Sequence, residues 1–167
     1  MIKIESKIGN LRPRYLSKFH SLVTSVTQFG GGAEEDRFIT GKTFSSAYEF
    51  YIYCFFLGMA SGERYTVVEE DEMQSFWELV NWKPKELRDQ LISCAIAKSD
   101  FDMFATQFMD DEEVQQEVRK LRDVMEAYAN CGMELVAQAY VEDPSCYEDD
   151  HFFLKKLAEI SKKPKSS

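Results

Sequence analysis

The sequence predicts an all-α fold, a compact single-domain helical bundle of about six to seven helices with one long helix in its C-terminal half. Three observations carry this prediction. Residues 112–140 hold an apolar seam with a period near 3.5, which is typical of a helix packed along one side. Residues 48–60 are apolar on nearly every side, as expected for a helix at the centre of a core. The length of 167 residues suits one domain.

The composition is that of a globular protein, with 44% hydrophobic and 14% aromatic residues. We expect one helical domain over residues 1–162 and a disordered basic tail over residues 163–167. No stretch reaches the roughly 20 apolar residues that a membrane span needs, and no apolar run follows the charged N-terminus as in a signal peptide. The sequence therefore predicts a cytoplasmic protein that makes no membrane contact, with its four cysteines as free thiols.

The net charge of −9 is unevenly distributed. The first thirty residues are basic, residues 102–150 are strongly acidic, and the tail is basic again. An acidic chain opposes broad binding to nucleic acid, because phosphate contacts supply most of the non-specific affinity. A local basic face built from the two ends of the chain remains compatible with this distribution.

The first helix is predicted over residues 13–28. Pro13 suits a first helical position, because the N–H that it lacks has no partner there. The inward face is predicted to carry Leu16, Phe19, Val23 and Val26.

The second helix is predicted to begin after an N-cap at Ser45 or Ser46 and to run to Ala60. Its aromatic and β-branched residues would also suit a strand, but polar and apolar residues do not alternate, and the length favours a helix. Four of its residues are expected to be mostly buried: Tyr51, Cys54, Phe55 and Met59.

Shorter elements are predicted before the long helix. Residues 66–68 suit a short extended piece, and residues 73–80 suit a short amphipathic helix. Another helix opens after Pro84, with Leu87, Leu91, Ile92 and Ala95 facing inward. Residues 99–102 resemble a capping box, and they are predicted to start a helix that carries Phe101, Phe104 and Phe108.

The longest helix is predicted over residues 112–140. Its apolar seam consists of Val114, Val118, Leu121, Met125, Tyr128, Gly132 and Leu135. A glycine on the seam lets another backbone approach closely, so we expect the last three of these residues to line a helix–helix contact. Residues 142–144 end the helix at a proline, and a last helix carries Phe152, Phe153, Leu157 and Ile160.

No catalytic, cofactor-binding or metal-binding residue is predicted. His20 and His151 lack the spacing of a helix-borne metal pair, and no two cysteines have the spacing of a zinc site. Residues 41–43 resemble the end of a phosphate-binding loop, but Asp36 takes the place of its first glycine. The four carboxylates at residues 110–113 are interpreted as stabilising the positive end of the long helix dipole, by roughly 0.3–1 kcal/mol each.

Two segments allow more than one interpretation. Residues 58–65 leave the central helix through two glycines, and residues 126–132 place an asparagine and a glycine inside a long helix, where both lower the helix propensity. A helix C-cap and close helix packing are the local interpretations. The alternative is a shared surface for a protein partner, made of Glu63, Arg64, Tyr128 and Asn130.

The same two segments resemble a known group of proteins. Leu-Gly-x-x-x-Gly-Glu-Arg at residues 57–64 follows a large apolar helix, and Glu-Ala-Tyr-Ala-Asn-x-Gly-Met-Glu-Leu stands at residues 126–135. This order is similar to small helical proteins encoded beside bacterial DNA phosphorothioation (Dnd-type) genes. The resemblance covers residues 44–140, and it departs from the expected pattern at Cys131, where a second glycine is expected. It implies an accessory role in DNA modification or anti-phage defence, with no assigned activity.

Three functional hypotheses follow. The first is a non-enzymatic helical adaptor that binds a protein partner, with no cofactor and with the oligomeric state left open. The second is weak, salt-sensitive DNA binding through Arg12, Arg14 and Lys18 of the basic N-terminal segment. The third is an enzyme of the hydrolase type, whose carboxylate site would need a deep acidic pocket.

Overall fold

The computed structural model describes residues 4–27 and 43–163. Within these residues the chain forms six α-helices and one small antiparallel sheet, which confirms the predicted all-α class. The helices are α1 (Ile4–Gly9), α2 (His20–Val26), α3 (Ala47–Ser61), α4 (Lys85–Ala97), α5 (Asp111–Glu142) and α6 (Phe152–Lys162). The strands are β1 (Arg14–Leu16) and β2 (Met73–Ser75). Single 3-10 turns occur at Ser17–Phe19, Leu79–Asn81, Ala105–Phe108 and Cys146–Glu148.

Helix α3 is the central element, as predicted. The side chain of Ser46 caps its start by accepting a hydrogen bond from the backbone N–H of Glu49 at 3.3 Å. Its end is set by Gly62, whose positive φ of 75° favours glycine. Of the four residues expected to be buried, Tyr51, Cys54 and Phe55 are inaccessible to solvent and Met59 is half-buried. None of the helices in the described ranges is both long and apolar enough to span a bilayer.

Helix α5 forms as predicted and extends a little further at each end. A capping box starts it, in which Asp110 and Glu113 each accept a hydrogen bond from the backbone N–H of the other. The predicted seam is buried as far as Gly132. Beyond that point Val136 is buried and Leu135 is only half-buried, because a straight helix of 3.6 residues per turn drifts away from a 3.5-residue repeat.

The contact between α3 and α5 is made backbone to backbone at two glycines. A Cβ atom built on Gly132 would overlap the carbonyl group of Cys54, and one built on Gly58 would overlap the carbonyl group of Tyr128. The two contacts are reciprocal, and the helices run antiparallel past each other. The helix–helix contact predicted at Gly132 is confirmed.

Helix α4 begins where predicted, after Pro84. Leu91 and Ala95 are buried within it, and the other two residues predicted to face inward are half-buried. In α6, Phe153 and Ile160 are buried. Helix α6 packs on α3, where the hydroxyl of Tyr53 donates a hydrogen bond to the carbonyl of Phe153 at 2.8 Å.

The first predicted helix is wrong over its N-terminal part. Residues after Pro13 are extended in β1, and α2 begins only at His20. The extended form is held by long-range bonds, since β1 pairs with β2 and the N–H of Leu16 donates to the side chain of Asn130 at 2.9 Å. The four apolar residues predicted to face inward are nevertheless buried. The predicted end at residue 28 lies outside the described residues.

Two further predicted helices do not form, and residues 66–68 belong to no strand. Residues 73–80 form β2 and part of a 3-10 turn, because the N–H groups of Phe76 and Leu79 donate to the carbonyls of Pro13 and Leu11. Residues 99–108 form only the 3-10 turn Ala105–Phe108. In this second segment the carboxylate of Asp102 caps the turn by accepting the N–H groups of the two residues that precede and begin it. The turn ends at Met109, whose backbone is extended, directly before the capping box of α5.

Candidate functional site

A buried ion pair lies where β1 crosses α5. The carboxylate of Glu126 is 2% exposed, and it accepts two hydrogen bonds from the guanidinium of Arg14, from Nε at 2.7 Å and from Nη2 at 3.1 Å. Such a two-bond geometry fixes orientation as well as charge. Nε of Arg122 lies 3.4 Å from the same carboxylate without forming a hydrogen bond. The carboxylate is therefore held between two arginines.

Neighbouring polar groups join this ion pair to the backbone of β1. The side chain of Asn130 accepts the N–H of Leu16 and donates to the carbonyl of Glu126 at 2.8 Å. The hydroxyl of Tyr51 donates to the carbonyl of Arg14 at 3.1 Å. We call the side chains of Arg14, Tyr51, Arg122, Glu126 and Asn130 the buried polar cluster. Its hydrogen bonds attach β1 to α3 and α5.

The pKa values of the cluster follow from burial and pairing. Burial raises the pKa of the Glu126 carboxyl, and the hydrogen bonds from Arg14 oppose that rise. The hydrogen bond to Glu126 raises the pKa of Arg14, so its guanidinium stays charged. Burial also raises the pKa of Tyr51 well above its ordinary value. Three cavities of the described residues, of about 950, 260 and 350 Å³, are lined by residues other than Glu126.

The four residues predicted for a partner surface lie in two environments. Glu63 and Arg64 are exposed at the exit from α3, whereas Tyr128 and Asn130 are buried. Arg64 packs over the ring of Tyr128, 4.9 Å from its centroid, and donates to its hydroxyl at 3.0 Å and to the carbonyl of Lys98 at 3.0 Å. Both local interpretations hold, since Gly62 caps α3 and α5 packs closely at its glycine. The partner role of these residues stays a prediction.

The three residues predicted to contact DNA are each bound to a carboxylate of the protein itself. Arg12 pairs with Glu78 at 2.6 Å, and Arg14 pairs with the buried Glu126. Lys18 lies 3.5 Å from Glu134 and donates to the hydroxyl of Tyr65 at 3.0 Å. A DNA phosphate would have to compete with these carboxylates for each cation. Binding of DNA by these residues stays a prediction.

An exposed surface that the sequence analysis missed lies between α4 and α5. Phe104 is 67% exposed and Phe108 is 78% exposed, and their rings meet edge to face with centroids 5.5 Å apart. Met103 beside them is also exposed. The stretch from residue 99 to residue 113 contains six carboxylates and no lysine or arginine, and all six are exposed: Asp100, Asp102, Asp110, Asp111, Glu112 and Glu113. We call this stretch the acidic aromatic patch.

The charge of this patch is partly offset by neighbouring lysines, since Lys98 directly precedes it and Lys120 interacts electrostatically with Asp100. Lys7 donates to the backbone and to the carboxylate of Asp111, at 3.1 Å and 3.5 Å. Lys120 is paired with Glu117, a residue outside the patch. The patch therefore presents two exposed aromatic rings within an excess of negative charge.

A large groove lies on another face. It has a volume of about 950 Å³ and lies between the starts of α3 and α4, with the segment after β2 as its third side. Its walls include Tyr48, Phe76 and Trp77, and the ring of Trp77 is 69% exposed. We call it the aromatic groove. The size is within the range of ligand-binding clefts.

Two smaller cavities lie elsewhere on the surface. One, of about 260 Å³, is lined by α1, α4 and Met103, and the other, of about 350 Å³, lies between α2 and the end of α5 near Tyr140. In residues 4–27 and 43–163, no group of three or more His, Cys, Asp or Glu side chains is arranged to hold a metal ion.

Comparisons of the chain with protein-family models, with curated proteins and with solved structures found no match.

Proposed function

We propose that this protein is a non-enzymatic adaptor that binds a basic partner protein through the acidic aromatic patch. One observation carries the proposal. Phe104 and Phe108 stand mostly in solvent within a stretch that holds six exposed carboxylates and no basic residue. Aromatic side chains are frequent anchors of protein interfaces, and rims of complementary charge steer the encounter.

The geometry of the patch supports a role for Phe104 and Phe108 as anchors of an interface. The carboxylate of Asp102 accepts the backbone N–H groups of Phe104 and Ala105, at 2.9 Å and 3.1 Å. The next residue, Thr106, is buried and donates to the carbonyl of Met103 at 2.6 Å. The backbone of the turn is therefore fixed by its own hydrogen bonds, which sets where the side chain of Phe104 begins before a partner arrives. Such preorganisation lowers the entropy lost on binding.

The buried carboxylate and the carboxylates of the patch differ in their surroundings. Glu126, a deeply buried carboxylate, is paired with arginine and serves to attach β1. The carboxylates of the patch, by contrast, face outward. A setting in bacterial DNA modification or defence is implied by the resemblance of residues 44–140 alone, and it is part of the proposal on that basis.

Affinity purification from the native host tests the proposal. The wild-type protein is compared with the Phe104→Ser/Phe108→Ser variant. The matched control is Val141→Ser/Leu154→Ser, which removes two side chains of similar exposure, 79% and 70%, at the end of α5 and in α6. We expect one partner to be enriched by the wild type and the control and lost with the patch variant. Its capture should also weaken between about 50 mM and about 500 mM salt, because the rim is electrostatic.

Two results would contradict the proposal. The first is the same set of captured proteins with the wild type and the patch variant. The second is a partner whose contact surface, mapped by cross-linking, carries acidic residues opposite Phe104 and Phe108.

A further inference from the structure

One residue that lines the aromatic groove, Trp77, extends its side chain into solvent. Trp77 is 69% exposed, yet its backbone is fixed, because its carbonyl accepts a hydrogen bond from the indole N–H of the buried Trp82 at 3.0 Å. The adjacent Phe76 is buried and its N–H donates to the carbonyl of Pro13 at 3.0 Å. A rigid support therefore holds a large apolar ring in water beside a cavity lined by other aromatic residues.

A ring and a cavity on one face form the arrangement that a two-fold symmetric contact needs. In such a contact the same surface meets itself, so that each copy must carry both the projecting group and the site that receives it. The aromatic groove carries both. Tyr48 in its lining is stacked on the buried Trp82 at a ring separation of 4.8 Å. The volume of about 950 Å³ exceeds that of one indole ring.

The charges of the groove favour a second copy of this chain as the occupant. Two copies repel each other over most of their surface, because each has a net charge of −9. The groove is locally balanced, since its lining contains Lys83 and Lys85 together with Glu49 and Glu86. Among the described residues neither lysine forms an ion pair. A balanced face can pair with itself, whereas the acidic aromatic patch would repel its copy.

We infer that the aromatic groove is the interface of a homodimer, in which Trp77 of each protomer enters the groove of the other and the lysines of one rim face the glutamates of the other. This interface is separate from the acidic aromatic patch, so a dimer would present two patches to a basic partner protein. The inference does not depend on that partner.

Sedimentation of the purified full chain tests the inference. We expect the mass to rise from the monomer value of 19.4 kDa towards twice that value between about 1 µM and about 200 µM protein, a range that covers micromolar dissociation constants. Quenching of tryptophan fluorescence by iodide should fall over the same range, because Trp77 becomes covered.

Variants locate the interface. Trp77→Ala should raise the dimer dissociation constant at least about tenfold, as expected for a central aromatic anchor. Leu154→Ala, which shortens a comparably exposed side chain on α6, should leave the constant unchanged. Lys85→Glu should weaken the dimer in the same direction, since it places carboxylates opposite carboxylates. Circular dichroism of each variant checks that it is folded.

The outcomes are distinct. A monomer mass at every concentration would overturn the inference, and the groove would then be open to another occupant such as an apolar ligand or a peptide. A dimer that Trp77→Ala leaves as tight as the wild type would place the interface on another face, and it would overturn the inference equally.

Discussion

The buried polar cluster and the acidic aromatic patch place their carboxylates in opposite environments. In the cluster, Glu126 is enclosed, paired with Arg14 and surrounded by groups that attach β1 to α3 and α5. In the patch, six carboxylates and two phenylalanine rings are exposed to solvent, and Asp111 is paired with Lys7. The comparison teaches that residue type alone does not distinguish residues that maintain the fold from residues that a partner could contact. The pairing and the burial of each side chain make that distinction.

The largest expected effect is a loss of protein stability after a substitution in the buried polar cluster. Arg14→Met leaves the carboxylate of Glu126 buried without its principal partner, and we expect the free energy of unfolding to fall by about 3–5 kcal/mol. The double variant Arg14→Met/Glu126→Leu should recover most of this loss, because no uncompensated carboxylate remains. Urea denaturation of the two variants measures both values. A loss below about 1 kcal/mol for Arg14→Met would show that the pair is not part of what holds β1 in place.

Protein stability should be nearly as sensitive to a substitution at the glycine contact between α3 and α5. In Gly132→Ala the new methyl group would overlap the Cys54 carbonyl, so α3 and α5 must separate, and we expect a loss of about 3 kcal/mol. The matched control is Gly9→Ala, where the new methyl group would meet only the side chain of Val80 at 3.4 Å. That variant should change stability by less than about 0.5 kcal/mol. Thermal unfolding of both variants makes the comparison, and equal melting temperatures would contradict the close helix contact.

The pH dependence of stability sharpens the same comparison. Burial raises the pKa of Glu126 above its ordinary value of 4.5, so the folded protein holds this proton more tightly than the unfolded chain. The contribution of Glu126 to the free energy of unfolding should therefore fall as pH rises from about 4.5 to the folded pKa. In Glu126→Gln this fall is missing, so the free energy of unfolding of the wild type minus that of the variant should decrease as pH rises above about 4.5. Parallel curves would show that Glu126 titrates as it does in water.

The smallest expected effect on stability belongs to the patch. Phe104→Ser/Phe108→Ser removes two mostly exposed rings, so the free energy of unfolding should change by less than about 0.5 kcal/mol for each substitution. The same variant is expected to abolish capture of the partner. Guanidinium denaturation measures the first quantity. A loss of several kcal/mol would show that the rings support the fold, and lost capture would then reflect unfolding of the variant.

The sequence was informative where local and global preferences agree. Helix α5 has a capping signal, a long apolar seam and a proline just beyond its end, and each of these signals points to the same helix. The backbone contact at Gly132 could be predicted as well, because a glycine within an apolar seam leaves room for a neighbouring backbone. The contact of Gly58 with Tyr128 was not visible, since it depends on the register between two helices 70 residues apart.

The predictions failed where distant partners decide the conformation. Residues 14–16 fit a helical pattern, but β2 and Asn130 supply hydrogen bonds that only an extended chain can use. Phe101, Phe104 and Phe108 have the spacing of a buried helix face, yet only the first is buried. One sequence signal pointed to the patch, namely six carboxylates without a single base over residues 99–113. The aromatic groove gave no such signal, because its walls come from three separate segments.

The hydrogen bond from Leu16 to Asn130 affects when the N-terminal segment can fold during synthesis of the chain. Its donor and acceptor are separated by 114 residues. At a synthesis rate of roughly 5–20 residues per second, about 6–23 s pass between the synthesis of Leu16 and that of its acceptor. During that interval the apolar residues of the N-terminal segment lack the surface that later covers them. We therefore expect β1 to dock late, after the ribosome has released most of α5, and a nascent chain stalled before residue 126 should leave the first 20 residues open to protease.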